Sequence, residues 1–405
     1  MRKILFLTGL YLLCFSYGKA EVDDGQDLIG TLTFENFPTM DGSTSTQPLN
    51  MLIACKLLGV SYEWSSHFGE WRIFPTPDWD NFSQAQQNFF WNETKVSQTH
   101  GAFMNLIDKN VDIILTHRTI SPDEKVHAEE VGVTLIETPI ALDGFIFVVN
   151  RDNPVKSLTV NQVQDIYTGR ITNWKQVGGN DETIIPYARP RNSGSEEIMR
   201  SLVMQGLETA ASLPEIQEIV TMAGTFLEIT NEQRSICYSF NYYKEIQLRM
   251  PDETVPKIAI NGVFPTEATI SNRTYPFVTE VYVTIRSDLD ENSTAYKIYE
   301  WLQTEAGQKV VAESGYLPIN GNISSTAKIS DNPVRLFPNP VTNELYISGL
   351  MSSAQIILTD ISGRIVLSKQ VTANEAIRVA QLPKGFYIVT LSTNNMLIQR
   401  KILKK

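Results

Sequence analysis

The chain has 405 residues, enough for two or three domains, and 42% of them are hydrophobic, the share of a globular protein. Its 45 acidic and 34 basic side chains leave a formal net charge of −11, which argues against nucleic acid as a partner. Three cysteines are too few for a disulfide framework or a zinc finger.

Residues 1–20 read as a secretory signal peptide. Arg2 and Lys3 supply the positive start, Ile4 to Phe15 the apolar stretch, and Gly18 and Ala20 a cleavage site. Leu13 and Phe15 around Cys14 fit lipid attachment poorly. No later apolar run is long enough to span a bilayer. Removal of the leader leaves Cys55 and Cys237, which an exported protein could join or keep as buried thiols.

Leu28–Phe37 reads as a first strand. It leads into a hydroxyl-rich loop, Asp41 to Thr46, and a helix with Pro48 in its first turn and a stripe of Leu49, Leu52, Ile53 and Leu57. Residues 62–91 hold four of the six tryptophans. Those aromatics suit either a partner surface or packing onto the first lobe. Thr99-His100-Gly101 opens a helix, and Val111–Leu115 is a strand ending at Thr116-His117-Arg118. Two strands are predicted between Val131 and Asn150, separated by a turn or irregularity at Asp143-Gly144.

Residues 183–200 carry the densest signal. Ile184 and Ile185 end a strand, and Arg189-Pro190-Arg191 stays extended because the residue before a proline avoids the helical region. Asn192-Ser193-Gly194-Ser195 then opens a helix with Glu196 and Glu197 in its first turn. A helix start carries unpaired N–H groups and the positive end of the dipole, so it suits an anion. Gly194 lets a ligand approach, Ser193 and Ser195 add hydroxyls, and Arg189 adds a planar fork for two oxygens. Ser43, Thr44 and Ser45 form a second such start. Tyr275–Ile285 is a returning strand, Ala295–Glu305 a helix stopped near Gly307, and Asn320–Asp331 a polar linker. Beyond it, strands at Glu344–Ser348, Ala354–Leu358, Ile365–Gln370, Ala376–Val379, Gly385–Leu391 and Met396–Leu403 have the spacing of a small β-sandwich.

Gly-Ser-Thr-Ser-Thr-Gln-Pro-Leu (42–49) and Arg-Pro-Arg-Asn-Ser-Gly-Ser (189–195) resemble the first and third ligand loops of the phosphate-binding proteins of ABC importers. The segments at 139–150 and 166–174 resemble the same family, so the likeness runs from about 28 to about 325. It implies an α/β fold of two lobes, the type II periplasmic-binding-protein fold. Lobe 1 would take about 28–149 and 275–325, and lobe 2 about 150–274. It also implies contacts from His100 and Arg118. His100 stands about where the family has serine. Arg118 stands where its best-known members carry an aspartate that accepts a proton from protonated phosphate. Arginine has no acceptor, so weaker discrimination against sulfate is expected.

The tail resembles the C-terminal sorting domain of type IX secretion. Phe337-Pro338-Asn339-Pro340, Asp360–Arg364, Leu382–Tyr387 and the basic end Arg400–Lys405 carry the likeness. It implies a sorting domain over 332–405, the type IX machinery as a partner, and a secreted or surface location.

The expectation is therefore an exported monomer that binds inorganic phosphate or a similar oxyanion, without cofactor or metal and without catalysis. Its site is Ser43, Thr44, Ser45, His100, Arg118, Arg189, Ser193, Gly194 and Ser195. Two alternatives stand beside it: a surface adhesion protein on a binding-protein scaffold, and a phosphatase-like hydrolase. No nucleophile elbow, phosphate-loop lysine motif or His-Glu-x-x-His is present.

Overall fold

The structure, a computed structural model, describes residues 27–67, 69–76, 82–210, 222–319, 335–337, 341–348, 353–360, 364–372, 375–393 and 396–405. The expected signal peptide and linker lie outside these residues, as do Phe68 and Trp79. Two compact units make up the chain, 1–324 and 325–405.

The first unit begins with β1 (Met40–Gly42), α1 (Gln47–Leu57), a hairpin of β2 (Tyr62–His67) and β3 (Glu70–Pro75), α2 (Gln84–Asn92) and α3 (Gln98–Ile107). Then come β4 (Ile113–Thr116), α4 (Pro122–Val131), β5 (Leu135–Val149), β6 (Ser157–Leu158), α5 (Val160–Tyr167), β7 (Ile185–Pro186) and α6 (Gly194–Ile198). After α7 (Ala223–Asn231) and β8 (Ser235–Phe240), it closes with β9 (Ala259–Ile260), α8 (Glu267–Ser271), β10 (Val278–Arg286), α9 (Thr294–Trp301), α10 (Glu305–Glu313) and β11 (Leu317–Pro318).

One sheet runs β1-β4-β10-β5-β8-β7, with β11 also on β5. Its register changes at Asp143-Gly144. Residues before that point pair with β10, from Leu135↔Arg286 to Gly144↔Val278, and residues after it pair with β8, from Phe145↔Phe240 to Val149↔Ile236. The two strands expected here are therefore one strand of 15 residues that serves two halves. Asp143 does not turn the chain. Its Oδ1 accepts from the N–H groups of Gly144 (2.7 Å) and Tyr242 (2.9 Å) and holds the backbone extended.

Each half has its own core. Leu49, Leu52, Ile53, Cys55, Ile113, Val281 and Trp301 belong to one, and Phe145, Phe147, Tyr167, Trp174, Met199, Cys237 and Tyr238 to the other. The thiols are free, and burial pushes Cys55 up to about 12 and Cys237 to about 11.

Two further expectations are corrected, and for 62–91 packing onto the first core is the reading that holds. Leu28–Phe37 is a run of turns, in which Asn36 Oδ1 accepts from Thr33 N (2.8 Å), while Leu28 and Phe37 still bury in the first core. The helix expected over Ala295–Glu305 is two helices, broken at Leu302 to Thr304, with Thr304 capping the second. Gly307 lies inside that second helix, where a Cβ would meet Trp301 O at 2.1 Å. Within 62–91, Phe89 and Phe90 are buried and meet Phe34 edge to face at 5.0 and 5.9 Å, so these rings serve the first core.

The second unit holds two antiparallel sheets. One comprises β12 (Arg335–Phe337), β13 (Glu344–Ser348) and β16 (Ala376–Arg378); the other comprises β14 (Ala354–Asp360), β15 (Ile365–Val371), β17 (Gly385–Thr393) and β18 (Met396–Lys404). Leu345, Ile347 and Ile377 of the first share a core with Ile356, Leu358, Val389 and Ile402 of the second, which makes a β-sandwich. Among the described residues no helix is long and apolar enough to cross a membrane.

Candidate anion site

β1 and β4 are parallel and lead directly to Ser43 and His117; β7 and β8 are parallel and lead to Arg189 and Asn241. Loops beyond the carboxyl ends of parallel strands are where open α/β sheets hold ligands.

The first loop is fixed from beneath. Gly42 has no room for a Cβ, which would lie within 2.8 Å of Thr46 Oγ1, Leu115 O and Asn50 Nδ2. Thr46 Oγ1 donates to Leu115 O (2.9 Å), and Asp41 Oδ1 accepts from Ser97 N (2.8 Å). Ser43 to Thr46 therefore sit as a tight turn opening α1, with Pro48 in its first turn. Ser43 Oγ meets Thr99 Oγ1 at 2.8 Å, and Ser45 Oγ meets His117 Nδ1 at 2.9 Å. Thr44 is half-buried, and its carbonyl accepts from Gln247 Nε2 at 3.4 Å.

On the second lobe, Ser193 caps α6, its Oγ accepting from Glu196 N (3.2 Å) and lying 3.5 Å from Ser195 Oγ. The helix continues directly as a π turn, Met199–Met204. The Arg189 N–H donates to Tyr238 Oη (2.9 Å) and to Glu196 Oε2 (3.3 Å). Tyr238 Oη also bonds Glu196, whose carboxyl is raised by burial against the opposing pull of Tyr238 and the Arg189 N–H. The Arg189 side chain is 8% exposed, and its Nη1 is buried with no hydrogen-bond partner among the described residues. Ser239 Oγ, on the neighbouring strand, is in the same condition.

The two halves meet here. A Cβ on Gly194 would lie 2.5 Å from Thr99 Oγ1. The structure thus joins Ser43, Thr99 and Gly194 in one line of contact, with Arg189 held to the same helix start through Glu196.

His100 and Arg118 take a different partner from the one expected. Arg118 sits bidentate on the buried Glu124, at 2.8 Å from both Nη atoms, and His100 Nδ1 lies 2.8 Å from the same carboxylate. Glu124 therefore neutralises the positive charge that was expected to face the anion. Thr99, Asp143 and Ser239 lie beside the expected residues without having been singled out, and His117, read as either ligand-lining or a core histidine, is buried. Thr99 precedes His100 in a segment that the sequence did flag, but its contact with Gly194 spans 95 positions and leaves no local pattern.

A cleft of about 470 Å³ lies alongside, lined by His117 to Pro122 and by Glu197, Ile198 and Ser201 of the α6 region. No group of three or more His, Cys, Asp or Glu side chains suited to a metal occurs among the described residues.

Comparison with known proteins gives this geometry its family. Residues 77–303 match the PBP superfamily domain, and residues 335–405 match the secretion system C-terminal sorting domain. The phosphate-binding protein PstS of Bacillus subtilis is 27% identical over 188 residues, which cover 46% of this chain and 58% of that protein. Protein SphX of Synechococcus elongatus is 24% identical over 55% of this chain and 68% of its own length. Among solved structures, an ABC-type phosphate transport receptor from Vibrio cholerae aligns at a TM-score of 0.48 and 25% identity, covering 69% of this chain and 98% of that one. PstS from Borrelia burgdorferi aligns at 0.41 and 19%, covering 69% and 97%. With more than half of its length matched, the chain belongs to the PBP superfamily and carries a secretion-system sorting domain at its end.

Proposed function

We infer that this protein captures inorganic phosphate, or a tetrahedral oxyanion like it, between its two lobes and does so by binding without turnover. The observation that carries the reading is the Arg189 guanidinium, buried at the lobe junction with Nη1 unpartnered. A buried cation without a counter-charge is costly, by about 3–5 kcal/mol when a pair is broken, so this position calls for an anion. Ser43, Thr44 and Ser45 at one helix start and Ser193, Gly194 and Ser195 at the other would complete the set of ligand contacts. Thr99 joins that set; His100 and Arg118 support it from outside through Glu124. The relatives named for phosphate binding favour phosphate as the anion.

The binding domain would span 28–325, with lobe 1 at about 28–149 and 275–325 and lobe 2 at about 150–274, and the sorting domain 332–405. A cleaved signal peptide over 1–20 and type IX export would place a monomer outside the cell or on its surface. Such a protein takes up phosphate where an inner-membrane permease cannot reach it.

Calorimetry with phosphate, sulfate and arsenate tests the reading. Each charge-assisted hydrogen bond to the anion contributes about 1.5–3 kcal/mol, so Arg189→Ala should weaken phosphate binding by roughly 100-fold. The absence of heat with every oxyanion would refute it.

A further inference from the structure

Resting on the oxyanion reading above, we propose that the tip of the β2–β3 hairpin, Glu70 to Arg72, is a clasp across the seam between the two halves and sets how long a captured anion stays.

The hairpin forms a sheet of its own, apart from the main one. Two strands alone are marginally stable in water, so they must pack against something. The base leans on the first core, through buried Ile73 and half-buried Tyr62 and Trp64. The tip reaches the other half. Glu70 is buried, and a buried carboxylate is costly unless it is hydrogen-bonded. One of its oxygens takes Arg72 Nη2 at 2.6 Å, from its own strand. The other takes the hydroxyl of Tyr243, from the stretch after β8. Beside them, the Arg249 guanidinium lies 3.5 Å from the centre of the Trp71 ring.

Tyr243 is fully buried in the second core, with the Phe226 ring centre 6.2 Å away. It opens a π turn, Tyr243–Gln247, that lies in the seam: Ile246 packs on the first core, Leu248 and Met250 on the second. Short π segments recur at functional sites. This one ends at Gln247, fully buried, whose Nε2 reaches Thr44 O at 3.4 Å. One turn thereby connects the hairpin tip to the first loop of the anion site. Parting the halves would pull the Tyr243 hydroxyl from a buried carboxylate and the Arg249 cation from its ring, and both losses oppose opening. The anion enters while the halves are apart, so association is untouched and the effect falls on dissociation. A chain built this way retains its anion rather than releasing it at once. Glu70, Trp71, Tyr243 and Arg249 are positioning residues in this scheme, and none of them touches the ligand.

Stopped flow on the full chain tests the clasp, with inorganic phosphate released into an enzymatic trap that consumes it. Tyr243→Phe should raise the dissociation rate by roughly 10-fold, as expected for a hydrogen bond to a charged group, and leave the association rate within about 2-fold. Glu70→Gln, whose amide oxygen can still accept from Tyr243, should raise it less. Trp71→Ala and Arg249→Ala should each raise it by about 3-fold, and the double variant by no more than either alone, since both break one contact. Trp64→Ala, at the base, should lower Tm and leave the dissociation rate unchanged. A merely structural role for the tip would make its variants behave like Trp64→Ala. Equal dissociation rates in wild type and every tip variant would overturn the clasp and leave the oxyanion reading standing, as would slower association in place of faster release. Wild type that takes up neither phosphate, sulfate nor arsenate would overturn both.

Discussion

Arg189 and Glu124 illustrate opposite ways of burying charge. Arg118 enters the interior with Glu124 as a bidentate partner, which balances its charge, although its Nε has no hydrogen-bond partner among the described residues. Arg189 enters with its backbone satisfied and its Nη1 without a hydrogen-bond partner among the described residues. Closing without a ligand should therefore be unfavourable, and the anion supplies the difference. Spin labels at the exposed Glu130 and Arg170, one on each lobe, can read this as a distance. Wild type should shorten on adding phosphate. Arg189→Met should already be short and should not respond. At this scale the sequence was half legible. A basic residue before Asn-Ser-Gly-Ser signals an anion by composition alone. Whether Arg118 is free or paired depends on Glu124 six positions on, and both outcomes share one local pattern.

Elements fare differently according to how local their causes are. The strands of the tail were readable because inside and outside residues alternate, as along Ala354–Asp360, and turn residues separate them. β5 was misread because Asp-Gly usually turns a chain, and only Tyr242, 99 positions away, explains why this one does not. The α6 start was predicted from its own cap, yet the fit against Thr99 was invisible. That fit makes a prediction for the element. Gly194→Ala suits a helix and should not unfold the protein. Its methyl group would strike Thr99 Oγ1, hold the lobes apart and weaken phosphate binding by about 100-fold on the scale of a misplaced contact. Adding Thr99→Ala should recover part of the loss, as calorimetry on the single and double variants can establish.

For the molecule as a whole, the two units divide the labour. Each has a hydrophobic core of its own, and the elements that form the anion site all precede residue 319. A chain ended after Ile319 should bind phosphate within about 2-fold of full length, because the first unit has hydrophobic cores of its own and the second a separate one. The same truncation should abolish export, scored as protein retained inside the outer membrane.

The placement of the two thiols has a consequence for where such a clamshell can work. Cys55 lies in the core of one lobe and Cys237 in the core of the other, each held protonated by burial. A thiol reagent at about pH 8 should leave both untouched until denaturant is added, since only the thiolate reacts. Among the described residues, Cys55 and Cys237 form no disulfide between the halves, so an oxidant or a reductant should leave this pair unchanged. Passage between anoxic and aerated surroundings should leave capture and release unchanged.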